Sequence, residues 1–327
     1  MISKNTIDKV FEIARVEEVI GEFLSLKKSG SNFKGLSPFS QERTPSFMVS
    51  PVKQIWKDFS SGKGGNVIAF LMEHEQYSYP QAIRYLADKY NIEIIETELT
   101  DKQKDDNNFK EKLFLICDFV KNYFKTQFNE SDFGRTIART YFDERGFDDE
   151  TLEKFDIGSL GDEKYNLRDH CLSNGYNIKD LEALGLVSSN TQMDIYRSRL
   201  IFPIKSISGR TIGFGARILE NNKKSAKYIN SPDSKIYNKS NVLFGLYNSK
   251  NEIVKKDNCL ISEGYTDVMR FHQIGINNIV SSSGTALTVN QINLIRRLTK
   301  NVTMLFDSDK AGVNATERAV ELLLSQG

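Results

Sequence analysis

The 327-residue chain is poor in residues that cross-link or ligate: three cysteines (Cys117, Cys171, Cys259), three histidines (His74, His170, His272) and one tryptophan. Widely separated cysteines, odd in number, exclude a disulfide scaffold and suit a reducing compartment, so a cytoplasmic protein is expected. Histidines this isolated read as packed or surface imidazoles rather than ligands. No run of about 18 apolar residues occurs, which argues against a membrane-spanning helix and predicts no membrane partner. The opening MISKNTIDKVFEIARVEEVI carries acids and has no apolar centre, unlike a secretory leader. An excess of one charge is missing too, since 44 Lys+Arg face 43 Asp+Glu. What remains is ordinary globular composition, 39% hydrophobic and 27% charged, in a chain long enough for two or three domains.

A second absence is local. GLSPFSQERTPSF (Gly35–Phe47) and IWKDFSSGKGG (Ile55–Gly65) have the spacing of a small metal ribbon, with Ser37 and Ser40 three apart and Asp58 and Ser61 three apart. Cys or His at those positions would make C-x2-H…C-x2-C, a structural zinc site. Ser37, Ser40, Asp58 and Ser61 supply neither thiolate nor imidazole, so no zinc is expected. Phe33, Phe39, Phe47, Ile55, Trp56 and Phe59 offer a compensating apolar core. The serines and Asp58 can hydrogen-bond to the turns, and Asp58 can pair with a nearby Lys or Arg. Lys34, Arg43, Lys53, Lys57 and Lys63, with Trp56, form a candidate surface for single-stranded nucleic acid; a solvated basic face is the even alternative.

Residues 1–96 read as one unit, with 12 Lys/Arg and 12 Asp/Glu. Its expected elements are a helix over Thr6–Phe23, short strands over Leu26–Phe59, and helices over Asn66–Glu73 and Tyr79–Tyr90. TELTDKQKDDNNFK, 97–110, is polar and reads as a linker. Residues 111–257 start helical (Glu111–Phe128, Ala138–Arg145, then an N-cap at Asp148 or Asp149) and become strand-like at RLIFPI, RTIGFGARI, KYINS and VLFGL. Over 195–250, eleven Lys/Arg stand against Glu220 and Asp233 alone, which suits a polyanion surface. Gly213-Phe214-Gly215 is too short for a dinucleotide motif and reads as a close backbone turn in a strand-rich core. From 258 to 327 strands and helices alternate as βαβαβα, hence a parallel sheet with crossover helices. The fold class is therefore α/β (α+β overall): a small zinc-ribbon-like domain, a mixed α/β basic subdomain and a parallel-sheet subdomain.

Acids mark the strand ends of that last unit. Glu263-Gly264 closes its first strand, Asp267 follows, and Asp307-Ser308-Asp309 closes its third. Carboxyl ends of parallel strands line the crevice where open α/β sheets bind ligands. A D-x-D at a strand end places both carboxylates on one side, and Gly264 and Gly284 allow close backbone approach. Acids converging this way need counter-charge, which Mg²⁺ or Mn²⁺ supplies in displacement at phosphorus. Asp309 has a plainer reading as a helix N-cap.

EGYTD (Glu263–Asp267) and FDSDKAG (Phe306–Gly312) resemble the acidic signatures of the TOPRIM domain. RSRLIFPI, GRTIGFGARIL, KYINSPDSKIYNK and LFGLY resemble the RNA polymerase core of bacterial DnaG-type DNA primases, and Gly35–Leu71 resembles that family's zinc ribbon without its ligands. The resemblance covers most of the chain, in the family's order. It implies synthesis of short RNA primers on single-stranded DNA from ribonucleoside triphosphates, with a replicative helicase as partner through a C-terminal domain. It implies a catalytic, metal-binding Glu263, metal-binding Asp267, Asp307 and Asp309, and template or nucleotide contacts at Arg197, Arg199, Arg217, Lys227, Lys239 and Lys310. Tyr228 and Asn230 share the last basic motif. A further acidic motif of the family lies beyond the D-x-D, so the chain reads as C-terminally truncated. Competing readings are another TOPRIM enzyme, a topoisomerase or nuclease, and a non-catalytic single-stranded-DNA-binding fragment.

Overall fold

The computed structural model describes residues 2–75, 77–95, 101–219, 225–284 and 286–326, in two compact units, Met1–Lys104 and Asp105–Gly327. The start of the expected linker (97–100), with Glu220, Lys223 and Lys224, lies outside the described residues.

In the first unit the expected single helix is two, α1 (Lys4–Ile13) and α2 (Val16–Phe23), because Ala14 and Arg15 are extended between them. Five antiparallel strands follow in sequence order: β1 (Lys27–Ser29), β2 (Asn32–Gly35), β3 (Phe47–Ser50), β4 (Ile55–Asp58) and β5 (Gly64–Gly65). Helices α3 (Val67–His74) and α4 (Tyr79–Lys89) complete the unit, and the Asn66 side chain caps α3 by accepting from Ala69 N at 2.9 Å. Alternation along β3 and β4 buries Phe47, Val49 and Trp56. Phe47 and Trp56 stack at 5.2 Å, Phe70 meets both edge-on, and Phe39 covers Trp56 at 5.5 Å. Each such buried ring stabilises by roughly 1.5–3 kcal/mol. Trp56 is 1% exposed, with its indole N–H held by Asn66 O, so it cannot stack on a nucleic acid. Phe59, expected in the core, is 69% exposed, and Ile55 is also exposed.

Helix α5 (Asp101–Glu130), all but its first turn in the second unit, turns most of the expected linker into helix. A π-helical turn (Phe133–Ala138), α6 (Arg139–Asp143) and α7 (Asp149–Lys154) follow, with Asp148 as the N-cap of α7. Strand β6 (Gly158–Leu160) and helices α8 (Asn166–Ser173) and α9 (Ile178–Ala183) lead to β7 (Arg199–Lys205), β8 (Thr211–Ile218) and β9 (Tyr228–Asn230). The antiparallel order is β6-β7-β8-β9. The turn expected at Gly213-Phe214-Gly215 is absent, since all three lie within β8; Gly215 instead faces the Tyr265 hydroxyl, which a Cβ there would meet at 2.2 Å. VLFGL is not a strand: Phe244 makes an isolated bridge to Ser281, and Gly245 at φ +82° starts α10 (Leu246–Lys256). The parallel unit then runs β10 (Cys259–Ser262), α11 (Tyr265–Gln273), β11 (Ile279–Ser281), α12 (Val289–Arg296), β12 (Val302–Leu305) and α13 (Lys310–Ser325). The three cysteines are buried. His74 and His170 stack on aromatic rings, and His272 is buried against Ser249. Among the described residues no helix is long and apolar enough to cross a membrane.

Candidate active site and nucleic-acid interface

The parallel sheet has the order β11-β10-β12, so the chain leaves β10 on one side and returns on the other. The switch point lies between the carboxyl ends of β10 and β12, where an open α/β sheet binds ligands. Glu263 follows β10 directly, and Asp307 N donates to Glu263 Oε1 at 2.9 Å, so the two loops meet there. Gly312 makes this possible: a Cβ on it would lie 2.1 Å from Asp307 O and 3.0 Å from Glu263 Oε1. Gly264, expected to serve that purpose, leaves a Cβ ordinary room. Asp267, in the first turn of α11, accepts from Gly264 N at 2.9 Å. Its carboxyl is pushed up by desolvation on the crevice side, against the pull of the Gly264 N–H, and by the negative charges of Asp307 and Glu263.

Asp309 stands apart. Its Oδ1 caps α13 by accepting from Gly312 N at 2.7 Å. Because β12 ends at Leu305, Asp307 and Asp309 lie on the following loop, and the strand alternation expected to align them does not reach them. Lys310 is exposed at the first position of α13. As the side chains lie, no three Asp, Glu, His or Cys among the described residues stand close enough to hold a metal ion. The donor chemistry of Glu263, Asp267 and Asp307 nevertheless fits a hard cation: carboxylate oxygens only, open to solvent, with no Lys or Arg ion-paired to them among the described residues.

The basic stretch is less free than its composition suggests. Lys205 pairs with Asp156 at 2.7 Å, Arg210 with Glu111 at 2.7 Å and Lys235 with Asp106 at 3.0 Å. Arg199 is 6% exposed and donates to Ala226 O at 3.0 Å, which leaves it poorly placed for phosphate. Arg197 is half-buried and donates from Nε to Asp194 O at 3.1 Å. Arg217 is half-buried, donates to the Tyr228 hydroxyl at 2.6 Å and lies over the Tyr141 ring at 4.7 Å. Lys227 is exposed at the start of β9. The Tyr265 hydroxyl bonds to the Asn230 amide, which also accepts from Lys239 Nζ at 3.3 Å when turned to satisfy both. Tyr265 is stacked on Phe202 at 4.9 Å and follows Glu263 by two residues. Asn230 of β9 and Lys239 are thereby tied to Tyr265, two residues past Glu263, while Arg217 of β8 is held by Tyr228 of β9 and Lys227 immediately precedes that strand.

At the ribbon, Asp58 is fully buried. Its Oδ2 accepts from Ser37 Oγ at 2.7 Å and from Ser61 Oγ, and its Oδ1 from Ser60 Oγ at 3.0 Å and Ser46 Oγ at 3.1 Å. The expected Lys or Arg partner is replaced by hydroxyls. Ser40 Oγ bonds to Ser60 Oγ at 2.6 Å. Burial pushes the Asp58 carboxyl up, but the bonds from Ser61, Ser37, Ser60 and Ser46 together outweigh it and hold the group below its ordinary range. Serine hydroxyls around a saturated carboxylate do not fit zinc, which takes thiolate and imidazole. Ser46, Ser60 and Glu42 lie outside the four ligand-like positions; Glu42 and Ser46 flanking RTP, and Ser60 beside Ser61, were the available signal.

Three family descriptions match in order: "CHC2 zinc finger" over residues 2–103, "DNA primase catalytic core, N-terminal domain" over 123–250 and "Toprim-like" over 260–327. DNA primases of Clostridium acetobutylicum and Aquifex aeolicus are each 39% identical, over 100% and 98% of this chain. The chain spans only 54% and 62% of those relatives' own lengths. The crystal structure of the Aquifex aeolicus primase zinc-binding and RNA polymerase domains is similar at 36% identity and TM-score 0.62, over 98% of this chain and 77% of that one. A DnaG primase catalytic domain bound to single-stranded DNA is 33% identical with TM-score 0.61, over 67% and 71%. With the three matches in order along its length and a primase structure similar over 98% of it, the chain belongs to the bacterial DnaG-type DNA primase family.

Proposed function

We propose that this chain carries the RNA-polymerising centre of a DNA primase, a nucleotidyltransferase that joins ribonucleoside triphosphates into short primers on single-stranded DNA. The observation that supports this most is the joining of Glu263 and Asp307 at the switch point with the Arg217–Lys227–Lys239 strip next to it. One element offers negative oxygens, the other holds phosphates. Mg²⁺ or Mn²⁺, held by Glu263, Asp267 and Asp307, would lower the pKa of the primer 3′-hydroxyl and neutralise phosphate charge. Asp309 contributes by fixing the loop through its cap. Glu263 keeps its carboxylate aimed by the Asp307 N–H. Arg217 is pre-oriented by Tyr228, and with Lys227, Lys239 and the less free Arg197 it would track template and triphosphate, so that positioning contributes much of the rate. Lys310, exposed at the start of α13, would contact a phosphate, while burial leaves Arg199 a structural part. In the family's pattern the replicative helicase is engaged by a C-terminal domain.

The test is direct. The chain, single-stranded DNA, four labelled ribonucleotides and Mg²⁺ or Mn²⁺ should yield short RNA that Glu263→Gln abolishes. The second reading, a non-catalytic single-stranded-DNA-binding fragment, draws on the incomplete convergence of the acids. It requires tight DNA binding with no RNA made under either metal.

A further inference from the structure

We propose that the N-terminal ribbon is a metal-independent fold, in which the buried Asp58 carboxylate and its ring of serine hydroxyls stand where this family's description places zinc. Three observations carry this. First, the four ligand-like positions hold three hydroxyls and one carboxylate, and the cysteines lie at 117, 171 and 259, outside Met1–Lys104. Second, the centre is complete. Both Asp58 oxygens accept hydroxyl donors, and Ser61 N adds a backbone bond to Oδ2 at 3.3 Å. Among the described residues, the buried side-chain atoms lacking a partner are at Ser159, Asp180, Thr211 and His272, none of them in the ribbon. A decayed metal site would leave polar atoms unpaired, and each such atom costs about 1–3 kcal/mol.

Third, the network recruits residues a zinc site has no use for. Ser46 and Ser60 sit outside the ligand-like positions, yet Ser60 donates to Asp58 Oδ1 and Ser46 shares its one hydroxyl proton between Asp58 Oδ1 at 3.1 Å and Glu42 Oε2 at 2.6 Å. Glu42 ties the other side: its Oε1 accepts from Ser37 N at 2.7 Å and Ser46 N at 3.0 Å, and its Oε2 from Ser46 Oγ at 2.6 Å. Ser37 Oγ in turn accepts from Phe39 N and Ser40 N at 3.0 and 3.1 Å, which fixes the first turn, and Asp58 fixes the second through Ser61 N. Both turns that a metal would staple are closed by the carboxylate. The unit should therefore keep its fold without zinc, and neither chelators nor thiol oxidants should reach its organising centre.

The experiment uses the full chain from zinc-supplemented culture. Its zinc content is measured by mass spectrometry, and hydrogen exchange of the Phe39, Ser40 and Ser61 amides is followed with and without 1,10-phenanthroline. The expected result is no stoichiometric zinc and exchange unchanged by the chelator. One zinc per chain, or exchange accelerated tenfold or more by the chelator, would overturn the proposal. Ser46→Ala and Ser60→Ala then probe the donors that no zinc site needs. Each should speed exchange at those amides about tenfold, the loss of one hydrogen bond to a charged group. Unchanged exchange in both variants would overturn the proposal just as firmly.

Discussion

Asp58 and Glu263 are the same kind of group put to opposite uses. Asp58 is buried, and both its oxygens accept from serine hydroxyls, with the Ser61 backbone N–H added at Oδ2. Glu263 is half-buried and holds one backbone N–H, while Asp267 and Asp307 beside it stay exposed. The first arrangement is closed: its charge is solvated by the protein, and an added ion would have to displace bonds already made. The second is open: the Asp267 carboxyl is raised by desolvation first and then by the charges of Asp307 and Glu263, and a cation would relieve that repulsion. A carboxylate cluster becomes a site by what it leaves unsatisfied.

Breaking the closed centre should have the largest effect. Asp58→Ala leaves the Ser37, Ser46, Ser60 and Ser61 hydroxyls without their shared acceptor and should destabilise the first unit by about 3–5 kcal/mol, read as loss of its unfolding transition while the second unit still melts cooperatively. Acid acts on two buried groups of the second unit in opposite directions. Burial, helped by the Lys154 charge, pushes His272 down to about 4, and burial pushes the Asp194 carboxyl up to about 6. As pH falls from about 6.5 to 4 the unfolded chain binds the extra proton at His272, which costs up to roughly 3 kcal/mol, while the folded chain binds the extra proton at Asp194, which offsets much of that loss. His272→Gln should remove the first contribution, so that the second unit gains resistance in urea melts as pH falls through that window. The first unit should hold through that window. Asp58 is depressed, so its contribution is present above the unfolded carboxyl value and is lost only as pH falls through the still lower folded value.

Breaking the open site should leave the fold alone. Glu263→Gln keeps an acceptor for the Asp307 N–H, so its melting temperature should match the parent while primer synthesis drops by about a hundredfold or more. Parallel loss of DNA binding would argue against a catalytic place for Glu263. The smallest effect belongs to the strip. Arg217→Ala, Lys227→Ala or Lys239→Ala should each lower the salt slope of single-stranded DNA binding by roughly 0.7. An unchanged slope would return that residue to an ordinary solvated face.

The alternating elements of 258–327 were legible because short apolar runs and helical repeats were separated by clear turn residues. Glu263 and Asp307 followed from strand ends alone. The break at Ala14 was hidden inside a continuous amphipathic pattern, and the polar run from Asp101 proved helical because α5 extends into it from a packed segment. The fates of the basic residues could not be read locally. Asp106, Glu111 and Asp156 neutralise Lys235, Arg210 and Lys205 from far along the chain, and only the β7–β8 pairing buries Arg199. At the ribbon the sequence shows which ligands are missing, but the replacement depends on Ser46 and Ser60 meeting Asp58 across β3, β4 and the turn that follows.

The contrast between the closed and open carboxylates is tested most directly by Mn²⁺ titration of the isotopically labelled chain, followed by paramagnetic broadening of amide signals. Broadening confined to Glu263, Gly264, Asp307 and Ser308, with Phe39, Ser40 and Ser61 unchanged, is the result predicted here. Broadening of the ribbon amides, or none at the switch point, would contradict it.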